Sequence, residues 1–160
     1  MKWILVLFLA LPALGQTYDW SAVGTSGQLD QGNIFNAGMT GPTLKFRSTA
    51  TGTLVARYNV TNTFGSATSK VPGWTTLYAA YTDDSANGSV TVKLFKVEDC
   101  TDTETLLCTI SSSNGANPQC DTCALSSTDV DFSGFSYWVE VTLTRSATSA
   151  NEQIHSVALN

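Results

Sequence analysis

The stretch Tyr137-Trp138-Val139-Glu140-Val141-Thr142-Leu143-Thr144-Arg145 decides the fold class. Tyr137, Val139, Val141 and Leu143 share one parity, while Trp138, Glu140, Thr142 and Thr144 share the other. Successive side chains point to opposite faces of a strand, so this pattern buries one face and wets the other. β-branched and aromatic residues dominate it, as a pleated, half-buried surface prefers. The stretch reads as a central strand of an antiparallel sheet.

Working outward, the same alternation recurs. After a turn at Ala50-Thr51-Gly52, Leu54, Ala56, Tyr58 and Val60 alternate with Val55, Arg57, Asn59 and Thr61. Thr43–Ser48 is a shorter strand, with Leu44 and Phe46 on one face. Trp74–Thr82 has mixed parity, which suits a strand covered on both faces. In Ser89–Val97 the apolar parity switches between Val90, Val92, Leu94 and Phe95, Val97, which predicts a bulge near Leu94-Phe95. Glu104–Ile110 pairs next, and Ile154–Leu159 is expected to close the sheet as its last strand.

Residues 16–41 are polar and Gly-rich, anchored by Trp20 and Ile34-Phe35, with one short strand expected near Asn33–Asn36. Ser111–Asp129 is expected to be the longest irregular segment. The chain after its leader shows no helical period and no internal repeat. Short strands separated by Gly, Pro, Asn and Asp turns predict an all-β protein, a two-sheet antiparallel β-sandwich of about seven to nine strands, jelly-roll or Ig-like.

The chain opens on Met1 and Lys2, followed by an apolar run from Ile4 to Leu11 that Pro12 breaks. Ala13-Leu14-Gly15 supplies small residues suited to cleavage, so residues 1–15 read as a secretory signal and 16–160 as a single domain. The apolar run is too short for a bilayer, which takes about 20 residues. The expected protein is secreted and extracellular, without membrane insertion. With 8 basic and 13 acidic residues, a net charge of −5, it lacks the clustered Lys and Arg that a nucleic-acid partner requires.

Four cysteines behind a signal peptide predict two disulfides. The favoured pairing is Cys100 with Cys108, stapling a turn between two strands, and Cys120 with Cys123, closing a tight loop. Zinc and redox chemistry are the less favoured readings, because the 100/108 spacing is wide for zinc and the C-x-x-C lacks a helix behind it.

Asp83-Asp84-Ser85-Ala86-Asn87-Gly88 fits the opening of a calcium loop, but Leu94 stands where the closing acid belongs. The favoured reading is a hairpin turn, with Asn87-Gly88 accepting positive φ. No resident metal and no cofactor are expected. His155, the sole histidine, is expected at the edge of the core, since it shares parity with Val157 and Leu159 and no G-x-S-x-G occurs. Glu98, Glu104, Glu140 and Glu152 could supply a glycosidase pair, but nothing in the sequence pairs them. Asn59-Val60-Thr61 and Asn87-Gly88-Ser89 match the N-glycosylation pattern.

Aromatic residues carry the remaining functional signal. Trp138 lies on the polar parity beside Glu140 and Thr142, where an indole with hydrogen-bonding neighbours suits the apolar C–H face and polar rim of a sugar ring. Trp74 and Tyr78 are further candidates for such a surface. The expected function is a secreted, non-catalytic binding or adhesion module, with a glycan or cell-surface polymer as the leading ligand. The alternatives are a self-associating subunit of a surface layer or filament, and a small secreted hydrolase.

Overall fold

The computed structural model describes residues 20–62 and 70–160, without the side chains of 116 and 117. The leader expected at residues 1–15 lies outside the described residues. Eleven strands form two antiparallel sheets: β1 (Trp20–Val23), β2 (Gln28–Leu29), β3 (Ala37–Thr40), β4 (Thr43–Phe46), β5 (Gly52–Val60), β6 (Thr76–Asp83), β7 (Gly88–Glu98), β8 (Glu104–Ser111), β9 (Gly115–Ala124), β10 (Phe135–Arg145) and β11 (Gln153–Leu159). The helical content among them is two three-residue 3₁₀ turns, Gly24–Ser26 and Gln31–Asn33.

Sheet A runs β3-β4-β11-β6-β9, with β1 also pairing β11, and sheet B runs β2-β5-β10-β7-β8. The pairs β4·β11, β5·β10, β6·β9 and β7·β8 are those of one long hairpin, folded back at the β7–β8 turn and wound around a core. That order is a jelly roll rather than an Ig-like sandwich.

The stretch Tyr137–Arg145 behaves as its pattern demands. β10 lies between β5 and β7, and Val139, Val141 and Leu143 point inward with no exposed surface. Burying each such side chain stabilises the fold by about 1.5–3 kcal/mol. Leu54 and Ala56 of β5 and Val90, Val92 and Leu94 of β7 meet them in the same layer, opposite Leu77, Ala79 and Tyr81 of β6 and Ile154, Val157 and Leu159 of β11. At the end of β10, Arg145 also points inward. It donates to the main-chain carbonyls of Arg47, Ser48, Ala147 and Thr148, so its charge is solvated by the backbone.

Several expectations are corrected. Asn33–Asn36 is not a strand, because Asn33 N–H and Asn36 N–H close successive turns on Asp30 O and Asn33 O, and the strand follows at Ala37. Among its described residues, the segment 16–41 contributes three strands, not one. Ser111–Asp129 contains β9, an edge strand held by main-chain pairing to β6, in a position that tolerates Pro118. β11 does not close its sheet but sits inside it, with β6 along one edge and β4 and β1 sharing the other. Asp83–Gly88 is not a hairpin turn, since β6 and β7 belong to different sheets, and neither Asn87 nor Gly88 has positive φ.

The irregularity at Leu94-Phe95 is present, but the extra residue is Leu107 on β8, opposite that step. β7 itself keeps its alternation, so Phe95 and Val97 turn to the outer face.

The disulfide pairing also differs. Cys108 and Cys123 are bonded, with Cα atoms 6.1 Å apart, while Cys100 and Cys120 are free and exposed. The cause is strand parity: three residues apart on β9, Cys120 and Cys123 face opposite sides and cannot meet. Cys123 faces inward opposite Cys108, and β8 and β9 are the edges of their sheets on the same side of the sandwich.

Candidate functional site

The outer face of sheet B is built from rows of residues directly opposite one another across the strands. One row runs Asn59 (β5), Trp138 (β10), Phe95 (β7) and Leu106 (β8). The next runs Arg57, Glu140, Lys93 and Thr109, and the third runs Val55, Thr142, Thr91 and Ser111. An aromatic and apolar band is thus bordered by a charged row, then by a row rich in hydroxyls.

Trp138 and Phe95 are stacked, with ring centroids 4.5 Å apart and planes 16° from parallel. Both are half-buried, and Leu106 at the end of the row is 49% exposed. The Arg57 guanidinium stands 5.3 Å from the Trp138 ring centroid. It is held there by Asp30 on one side and by Glu140 Oε2, at 3.1 Å, on the other. These are exposed pairs: the Arg57 side chain keeps 42% of its surface, so they position the guanidinium more than they stabilise the fold. The face therefore offers apolar ring edges together with amide, guanidinium, ammonium, carboxylate and hydroxyl groups within one or two strands of them.

Beside Asn59, at the end of the same sheet, a hollow of about 390 Å³ is lined by Asn59, Asn62, Phe132, Phe135 and Ser136 among others. Lys96 Nζ lies 3.6 Å over the Phe135 ring. The hollow continues the aromatic row towards the Phe132 side of the sandwich.

Trp138, Glu140 and Thr142 are thus brought together on one open face. Trp74 is not: it is 1% exposed, packs edge-on against Phe132 at 6.2 Å, and belongs to the core. Trp74 precedes β6 and turns inward against Phe132. Tyr78 lies on the outer face of sheet A, the opposite side of the molecule, where its hydroxyl donates to Cys120 Sγ at 2.7 Å. Arg57, Asp30, Lys93 and Phe95 complete the face and were not singled out by the sequence. The alternation that puts Arg57 and Asn59 on the polar parity of their strand is the signal that could have found two of the neighbours, once that strand is known to pair with β10.

His155 occupies a bulge on β11, between Ile154 and Ser156, which removes it from the parity of Val157. Its two ring nitrogens meet Thr43 Oγ1 at 3.1 Å and Thr82 Oγ1 at 2.9 Å, and burial pushes its pKa below the ordinary value. Two threonine hydroxyls hold the ring as a structural clasp. The four glutamates are dispersed: Glu98 accepts from Thr101, Glu140 holds Arg57, Glu104 is exposed, and Glu152 is buried at the far end of the sandwich.

No protein-family model matches the chain, and no curated protein does. Among solved structures the chain is similar to TmCBM61 in complex with beta-1,4-galactotriose, at 10% identity and a TM-score of 0.45, over 88% of this chain and 86% of that one. At that score the likeness decides neither fold nor ligand.

Proposed function

We propose that this is an extracellular, non-catalytic glycan-binding module that takes its ligand on the outer face of sheet B. The observation that carries the reading is the stacked Trp138–Phe95 pair, half-buried on a solvent-facing sheet and bordered by Asn59, Arg57, Glu140 and Lys93. Sugar rings are apolar on their C–H faces and polar around the rim, and this face presents both surfaces in adjacent rows. The acidic balance of the chain, net −5, favours neutral glycans over polyanions. The filament reading, which wants an undocked N-terminal arm, is not favoured by residues 20–23, which pair with β11 of their own chain.

A glycan array on the secreted protein, followed by titration of the best hit against Trp138→Ala and Phe95→Ala, tests this. Each variant should weaken binding by about 1–3 kcal/mol. An array without hits, or variants that bind as the native protein does, would remove the function from this face.

A further inference from the structure

At the end of the sandwich away from Phe132, two crossing segments are sewn together. They are the β6–β7 connection and the β10–β11 connection. Ser146 N–H donates to Asn87 O at 2.7 Å, and Asn151 N–H donates to Asp84 Oδ1 at 2.9 Å. Between them lie Asp83, the last residue of β6, and Glu152, just before β11, each 1% exposed.

Neither carboxylate is fully satisfied. Among the described residues, both Glu152 oxygens and Asp83 Oδ1 have no hydrogen-bond partner, while Asp83 Oδ2 accepts from Ser112 Oγ. Glu152 is aimed at the Asp83–Gly88 connection: its carboxylate lies against Gly88, where an added Cβ would push it aside, and Gly88 does not have positive φ. The cation acting on Glu152 is Arg145, whose guanidinium N–H groups already serve four main-chain carbonyls. Buried carboxylates with free lone pairs are costly unless a proton or a cation is held between them.

We infer that Asp83 and Glu152 bind a hard divalent cation of the calcium class, which pins the two connections to each other. The Asp83-x-Ser85-x-Asn87-Gly88 pattern opens like a calcium loop, and Leu94, at the usual closing position, is a core residue with no exposed surface. Glu152 supplies that closing acid from a different part of the chain, with two oxygens available for bidentate contact. No three His, Cys, Asp or Glu side chains converge among the described residues, so an ion held by Asp83 and Glu152 would take its remaining oxygens from main-chain carbonyls and water. The site is remote from Trp138 and stands or falls separately from glycan binding.

The test is the melting temperature of the intact protein in EGTA and after adding calcium chloride, repeated on Glu152→Gln. Calcium at a hundredfold excess over its Kd should raise the native melting temperature by about 5–10 °C, and Glu152→Gln should lose most of that rise. A native protein indifferent to calcium overturns the inference and leaves a shared proton as the occupant. A calcium shift undiminished in Glu152→Gln overturns it too, by placing the ion elsewhere. Should Glu152→Gln fail to fold, Asp83→Asn is read by the same two outcomes.

Discussion

Cys108 on β8 and Cys123 on β9 are bonded across the open side of the sandwich, joining the edge strand of one sheet to the edge strand of the other. Reducing this bond, or replacing it by a Cys108→Ser, Cys123→Ser pair, should lower stability by about 3 kcal/mol, the value expected for a loop of some 15 residues. Alkylation of the native protein before reduction should label Cys100 and Cys120 and spare the other two. Label on Cys108 or Cys123 in native material would mean that the sheets are not bolted as described.

The two tryptophans on either side of the functional argument should separate cleanly by stability. Trp74→Ala removes a ring with 1% exposure and should cost about 3–5 kcal/mol in a denaturant titration. Trp138→Ala removes a half-buried ring and its stack on Phe95, and should cost about 1–2 kcal/mol. Equal losses for the two variants would make Trp138 a core residue and leave no face for a ligand.

Glu152 sets a pH dependence whose sign follows from its environment. Burial first, and then the charge of Asp83, raises its pKa above the ordinary 4.5. The folded chain therefore binds this proton more tightly than the unfolded chain does. The destabilisation is complete above the folded value and is relieved as pH falls through it towards 4.5. In chelator, Glu152→Gln should melt above the native protein at neutral pH, and the gap should close on acidification. A gap independent of pH would show that Glu152 titrates normally.

How far the fold was legible depended on where each strand sits. β5 and β10 are flanked on both sides within sheet B, bury one face, and so carry the alternation that a sequence displays. β9 is an edge strand whose affinity for β6 comes from main-chain groups, and Gln119, Cys120, Asp121 and Thr122 give no apolar rhythm. The order of the strands, and with it the Cys108–Cys123 pairing, follows from contacts between distant segments that no local pattern encodes.

The candidate face divides in the same way. That Trp138, Glu140 and Thr142 share a face was readable from parity alone, because one strand carries all three. Phe95 was hidden, since the extra residue that disturbs the ladder belongs to β8 while the apparent irregularity shows in β7. Glu152 gave no sign of burial, for the segment around it is polar and its cover comes from the β6–β7 connection.

The wound hairpin has a consequence for how the protein is made. Its innermost pair, β7 with β8, is local, but each further pair joins segments more distant along the chain, out to β4 with β11. In sheet A, β4 and β6 share no neighbour until β11 slots between them. During synthesis those strands leave the ribosome long before the partner that unites them, so their ladder edges stay open to other nascent chains. Folding should therefore nucleate at the β7–β8 turn and finish slowly, with cell-wide yield limited by protection of β4 and β6 during that wait.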